Sequence, residues 1–102
     1  MRTQFNYFAV LAIGLAVSGI TDAASFNCRY AKKPAEVAIC QNSYLSELDE
    51  QMSSLFYDLP RHVRKNLRRS QNRWLHQRNR CGYNEECIGR AYRRRIDTLS
   101  SY

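Results

Sequence analysis

The sequence predicts a small all-α domain: a helical hairpin bundle of three to four helices, stapled by disulfides, behind an export leader. Three observations carry this. Apolar residues beyond the leader recur at steps of three and four, the period of a helix face, and no stretch alternates for long as a strand would. Gly and Pro are scarce beyond the leader, so few breaks interrupt that pattern. Four cysteines, Cys28, Cys40, Cys81 and Cys87, all follow the leader in a chain of only 102 residues.

Residues 1–23 read as a signal peptide. Arg2 gives a weakly positive start, Phe8–Val17 is an unbroken apolar run, and Thr21-Asp22-Ala23 forms a small-x-small exit. Such a run falls short of the roughly 20 apolar residues that cross a bilayer, so no transmembrane anchor is expected in the mature form. Cleavage is placed after Ala23, with Ala24 and Gly19 as alternatives. Residues 24–102 then form one domain, expected in the periplasm or secreted. A domain this short buries a thin core and recruits staples, and an oxidising compartment supplies them as disulfides. Four cysteines allow three connectivities, and sequence alone does not choose. Local pairing, Cys28–Cys40 and Cys81–Cys87, is the expectation. A structural zinc site favours short gaps within a ligand pair, which neither these cysteines nor His62 and His76 provide, so no metal or cofactor is expected.

The helices follow in order. Pro34 suits a first helical turn, where its missing N–H costs nothing, and Ala35 to Cys40 extend it. Asn42-Ser43 breaks that segment and caps the next. Leu45, Leu48, Met52, Leu55, Phe56 and Leu59 then draw one apolar stripe on a helix from about Tyr44 to Leu59, which Pro60 stops. A longer, more polar helix is predicted over Arg61–Cys81. Val63, Leu67, Trp74 and Cys81 share its packing face with Ser70, Gln71 and Arg78, while Lys65, Arg69, Arg73, His76 and Arg80 form an opposite basic ridge. Gly82 is its predicted C-cap. Asn84 caps the last helix, Glu85 and Glu86 suit its N-terminal dipole, and Ile88, Tyr92, Ile96 and Leu99 form its buried stripe.

Charge is uneven. Residues 24–59 carry three basic and five acidic groups, a net of −2, whereas residues 60–102 carry twelve and three, a net of +9. Eleven of those twelve are arginine, whose planar fork suits carboxylate or phosphate. Such a field draws anionic partners. Within it, Gln71, Trp74, Arg78 and Cys81 stand on one helix face. Trp74 reads first as a core anchor. Arg78 on an apolar stripe must snorkel or pair with an acid, for which Asp49 is the candidate, or else it forms with Trp74 a groove that receives a ligand. The candidate binding residues are Trp74, Arg78, Gln71, Arg69 and Arg73.

The ordered set F-N-C at Phe26–Cys28, A-E-V-A-I-C at Ala35–Cys40, L-S-E-L-D at Leu45–Asp49, W-L-H-Q-R-N-R-C at Trp74–Cys81 and Y-R-R-R-I-D-T-L at Tyr92–Leu99 resembles the lysozyme inhibitor LprI-like family of small exported bacterial proteins. The resemblance spans nearly all of the mature chain. It implies a helical, disulfide-bonded, non-enzymatic domain and, for some members, binding and inhibition of lysozyme. Two departures are visible: Asn79 stands where an acid is common, and the C-terminal half is unusually rich in arginine. A basic lysozyme would then have to meet the Glu47/Asp49/Glu50 side.

Three functions follow as expectations. The first is a protein-binding module that blocks lysozyme or another envelope glycan-cleaving enzyme, an arginine entering the cleft that holds the enzyme's carboxylate pair. The second is a cationic protein that binds anionic envelope lipid or polysaccharide through Lys65, Arg69, Arg73, Arg80, Arg90, Arg93 and Arg94. No nucleic-acid-binding motif stands out, and nucleic acid is not an expected partner. The third, an enzyme, is disfavoured: the cysteines are expected to be oxidised, the histidines lack an evident acid partner, and a deep pocket is not expected at this size.

Overall fold

A computed structural model describes residues 24–102, so the leader lies outside the described residues. A 3₁₀ turn at Cys28–Tyr30 precedes four α-helices: α1 (Pro34–Gln41), α2 (Ser43–Asp58), α3 (Arg61–Asn79) and α4 (Glu85–Ser100). No strand occurs among the described residues. The all-α, disulfide-stapled bundle read from the sequence is the observed architecture.

Local chemistry sets the boundaries. Pro34 opens α1. The Asn42 side chain accepts from the Leu45 N–H at 3.0 Å and starts α2. Pro60 separates α2 from α3, having no N–H to continue the first helix, while its own carbonyl accepts from Val63 and Arg64 at the start of the second. The third helix ends at Asn79, two residues short of the predicted Cys81. Residues 80–83 form a turn in which Gly82 has φ +60°, a left-handed conformation that costs glycine little. Asn84 caps α4 through the Cys87 N–H at 2.9 Å.

The core is built by the predicted stripes. Ala35, Ala38 and Ile39 of α1, Leu45, Leu48 and Met52 of α2, Trp74 of α3, and Ile88, Tyr92 and Leu99 of α4 are buried together. Leu55, Phe56, Leu59, Leu67, Cys81 and Ile96 pack half-buried around them. The last helix is the central one: it lies on α2 most extensively and also on α3. Consecutive helices α2 and α3 scarcely touch each other, so a groove opens between them.

Both disulfides follow the local pairing. Cys28–Cys40 fastens the N-terminal turn to α1 and Cys81–Cys87 closes the α3–α4 turn, with Cα separations of 5.8 and 5.6 Å. Each removes loop entropy from the unfolded chain. Replacing either pair by alanine should cost about 2–3 kcal/mol, more for the longer Cys28–Cys40 loop. Urea unfolding of the two double variants checks both the size and the order.

Candidate functional site

The sharpest polar constellation lies inside the domain. Asp49 on α2 is 1% exposed. Its Oδ1 accepts from the Tyr92 hydroxyl of α4 at 2.7 Å, and its Oδ2 accepts from the Ser25 backbone N–H at 2.6 Å and from the Ser25 hydroxyl. Arg78 on α3 is 3% exposed and donates from Nη1 to the Tyr92 hydroxyl at 3.0 Å. Its Nη1 also lies 4.0 Å from Asp49 Oδ1, and Nη2 lies 3.8 Å from Glu36 of α1. The expected Arg78–Asp49 pair is therefore present, with Tyr92 as the bridge between its members.

Aromatic rings complete the guanidinium's surroundings. Phe26, Trp74 and Tyr92 hold their ring centroids 5.8, 5.9 and 6.0 Å from Arg78 Cζ, within cation–π range. Asn79 accepts from Arg78 Nε and Nη2 at 3.2 and 2.8 Å. The amide thus supplies an acceptor oxygen without a further negative charge. Trp74 crosses Tyr92 edge to face and donates its indole N–H to the Ala91 carbonyl at 3.0 Å. It is a satisfied core anchor.

A second arginine is interior, and the sequence reading missed it. Arg95 is 8% exposed and donates to Gln71 Oε1 at 2.8 Å and to the Ser70 hydroxyl at 3.2 Å. Gln71 in turn donates to the Met52 sulfur, so one amide links α2, α3 and α4. A signal existed. Residue 95 lies three beyond Tyr92 and four before Leu99, on the same helical stripe. Burial lowers the Arg95 pKa, Tyr102 opposing and Arg73 adding to the effect.

The candidate binding residues separate accordingly. Trp74 and Arg78 are inside, and Gln71 is half-buried and bonded to Arg95. Arg69 and Arg73 are exposed with Lys65, His76 and Arg80, which is the predicted ridge. The sequence expectation of little room for a cavity is corrected by the structure: a broad, open cleft of 1190 Å³ lies between α2 and α3, because those helices are splayed apart. Met52, Phe56 and Leu75 give it an apolar lining, and Arg61, Lys65 and Arg68 give it a cationic wall. Arg64 is partly spent, donating to the Tyr57 and Leu59 carbonyls. His62 also lines the cleft, and among the described residues no carboxylate pairs with either histidine. No cluster of three or more metal-binding side chains occurs among the described residues, and none of their helices is long and apolar enough to cross a membrane.

Comparison with protein-family models, curated proteins and solved structures finds no match to this chain. The functional reading therefore rests on the site.

Tyr92 gives a direct check on the interior. Burial raises its phenol well above the usual tyrosine value; Arg78 pulls it down, while the Asp49 charge and hydrogen bond push it up further. Ionisation is thus disfavoured in the fold and open to the unfolded chain. The resulting stability is complete below about pH 10 and is lost as pH rises above it. In an absorbance titration at 295 nm, one tyrosine should ionise only on alkaline unfolding. Tyr92→Phe should abolish that late step and cost about 1–3 kcal/mol by leaving Asp49 short of a donor.

Proposed function

We propose that the chain is an exported, non-enzymatic binding module that engages an acidic face of a protein partner through the outer surface of α3. One observation carries the reading. The 19 residues of α3 contain no acid, and its ridge of Lys65, Arg69, Arg73, His76 and Arg80 is exposed while the helix is held from behind by Arg78 and Trp74. A rigid array of arginines suits carboxylates, which each guanidinium can meet with two parallel bonds. Both disulfides and the apolar leader run support an exported setting, periplasmic or secreted.

The family resemblance makes lysozyme, or another envelope glycan-cleaving enzyme, the first partner to test. Such enzymes work with a carboxylate pair in a cleft, which an arginine from the ridge could enter. The burial of Asp49 bears on the orientation. Only Glu47 and Glu50 of the acidic trio are exposed, so the surface facing a basic lysozyme is smaller than the sequence suggests.

A second reading has its own support. Arg73, Arg80, Arg90 and Arg94 converge on a shallower groove between α3 and α4, a surface suited to the phosphates of anionic envelope lipid or polysaccharide. One experiment separates the readings. Purified oxidised protein is titrated against lysozyme, other glycan-cleaving enzymes and anionic vesicles, at low and high salt. Protein binding with slowed glycan cleavage, weakened about tenfold or more by Arg69→Glu with Arg73→Glu, supports the module, a loss of ~1.4 kcal/mol. Binding to vesicles alone, collapsing at high salt, supports the second reading. Protein binding indifferent to the ridge substitutions contradicts the role given to α3.

A further inference from the structure

The Ser25 contacts lie beside the predicted cleavage point, and their chemistry goes beyond partner binding. Asp49 Oδ2 faces the start of the domain, where the Ser25 backbone nitrogen is 2.6 Å away and the Ser25 hydroxyl also donates to it. The cluster behind that oxygen holds two carboxylates, Asp49 and Glu36, around a single guanidinium, Arg78. One negative charge is left over, and Asp49 is 1% exposed. A buried carboxylate in that position favours a second cation.

We propose that Asp49 is the receiving site for the α-ammonium group created when the leader is removed. The ligand is a primary amine, the processed N-terminus of this same chain. Cleavage after Ala24 would place the ammonium on the Ser25 nitrogen, at the observed 2.6 Å from Asp49. Cleavage after Ala23 would place it one residue upstream, within about 6 Å by standard backbone dimensions. Peptide-bond hydrolysis supplies the group: water adds across the scissile bond, the leader leaves as a carboxylate, and the new amine takes up a proton. Before cleavage the same backbone nitrogen is an uncharged amide. Processing therefore adds a positive charge beside the cluster that ties the N-terminal segment, α1, α2, α3 and α4 together.

The groups nearest this point are Asp49 of α2, Glu36 of α1, Arg78 of α3 and Tyr92 of α4, while Arg61, His62, Arg64, Lys65 and Arg68 line the same cleft further along α3. The Asp49 carboxylate, in direct contact at this point, raises the folded pKa of the amine above its unfolded value of about 8. The added stability is complete below that value and is lost as pH rises through the folded pKa.

The inference rests on leader removal, so its test uses chain that begins at Ala24 and does not depend on export. Oxidised protein with a free N-terminus is compared with the same protein acetylated there. At pH 6 the free form should melt higher by about 4 °C or more. The difference should vanish above the amine's folded pKa and be absent in Asp49→Asn. Equal midpoints at pH 6 overturn the proposal, as does an equal difference in Asp49→Asn. If Asp49→Asn does not fold, amine labelling at pH 8 decides: the folded protein should react several-fold more slowly than a peptide of residues 24–31, and equal rates overturn the proposal. Sequencing the N-terminus of exported protein reports separately on leader removal.

Discussion

A buried carboxylate organises this domain. Asp49 is buried, where an unpaired charge would cost several kcal/mol, and it accepts from Tyr92 and Ser25 while facing Arg78. Those partners come from α4, the N-terminal segment and α3, and Glu36 brings α1 to the same guanidinium. Helices α2 and α3 scarcely touch, so these contacts, together with the packing of α4 on both, set their relative position. Polar networks of this kind specify one arrangement only when every member is satisfied. Here Asn79 and three aromatic rings supply what Arg78 would otherwise lack.

The arginines accordingly do two different jobs. Arg78 and Arg95 are inside and bonded, joining helices at two levels of the bundle. Lys65, Arg69, Arg73, Arg80, Arg90, Arg93 and Arg94 are outside, and among the described residues Arg90 is the one of these with an acid within ion-pair reach, the exposed Glu86 at 3.7 Å. An exposed i,i+4 pair of that kind is worth only a few tenths of a kcal/mol. The outer field is therefore little compensated locally. Trp74 and Arg78 hold α3 from behind, and its opposite, basic face is exposed.

Much of the fold was legible because its signals are local. Apolar spacing marked the helices, Asn42, Pro60 and Asn84 marked their boundaries, and short loops favoured the observed cystine pairs. The Arg78–Asp49 pair was also legible as a candidate, since an arginine on an apolar stripe must either snorkel or meet an acid. What escaped depends on placement across the chain. Tyr92 as the bridge and Ser25 as a donor to Asp49 are contacts over 43 and 24 residues, which no local pattern encodes. Arg95 was hidden within a run of three arginines, although its stripe position separates it from its exposed neighbours Arg93 and Arg94. Of the candidate binding residues, Arg69 and Arg73 are surface groups, whereas Trp74 and Arg78 belong to the frame.

The organising role of Asp49 is tested most directly by a double-mutant cycle in urea at pH 7. Asp49→Asn, Arg78→Met and their combination are compared with the parent protein. Each single change strands a buried partner, so the combined loss should fall short of the sum by about 1 kcal/mol or more. Losses that add to within about 0.5 kcal/mol would contradict the account, because the two groups would then be energetically independent.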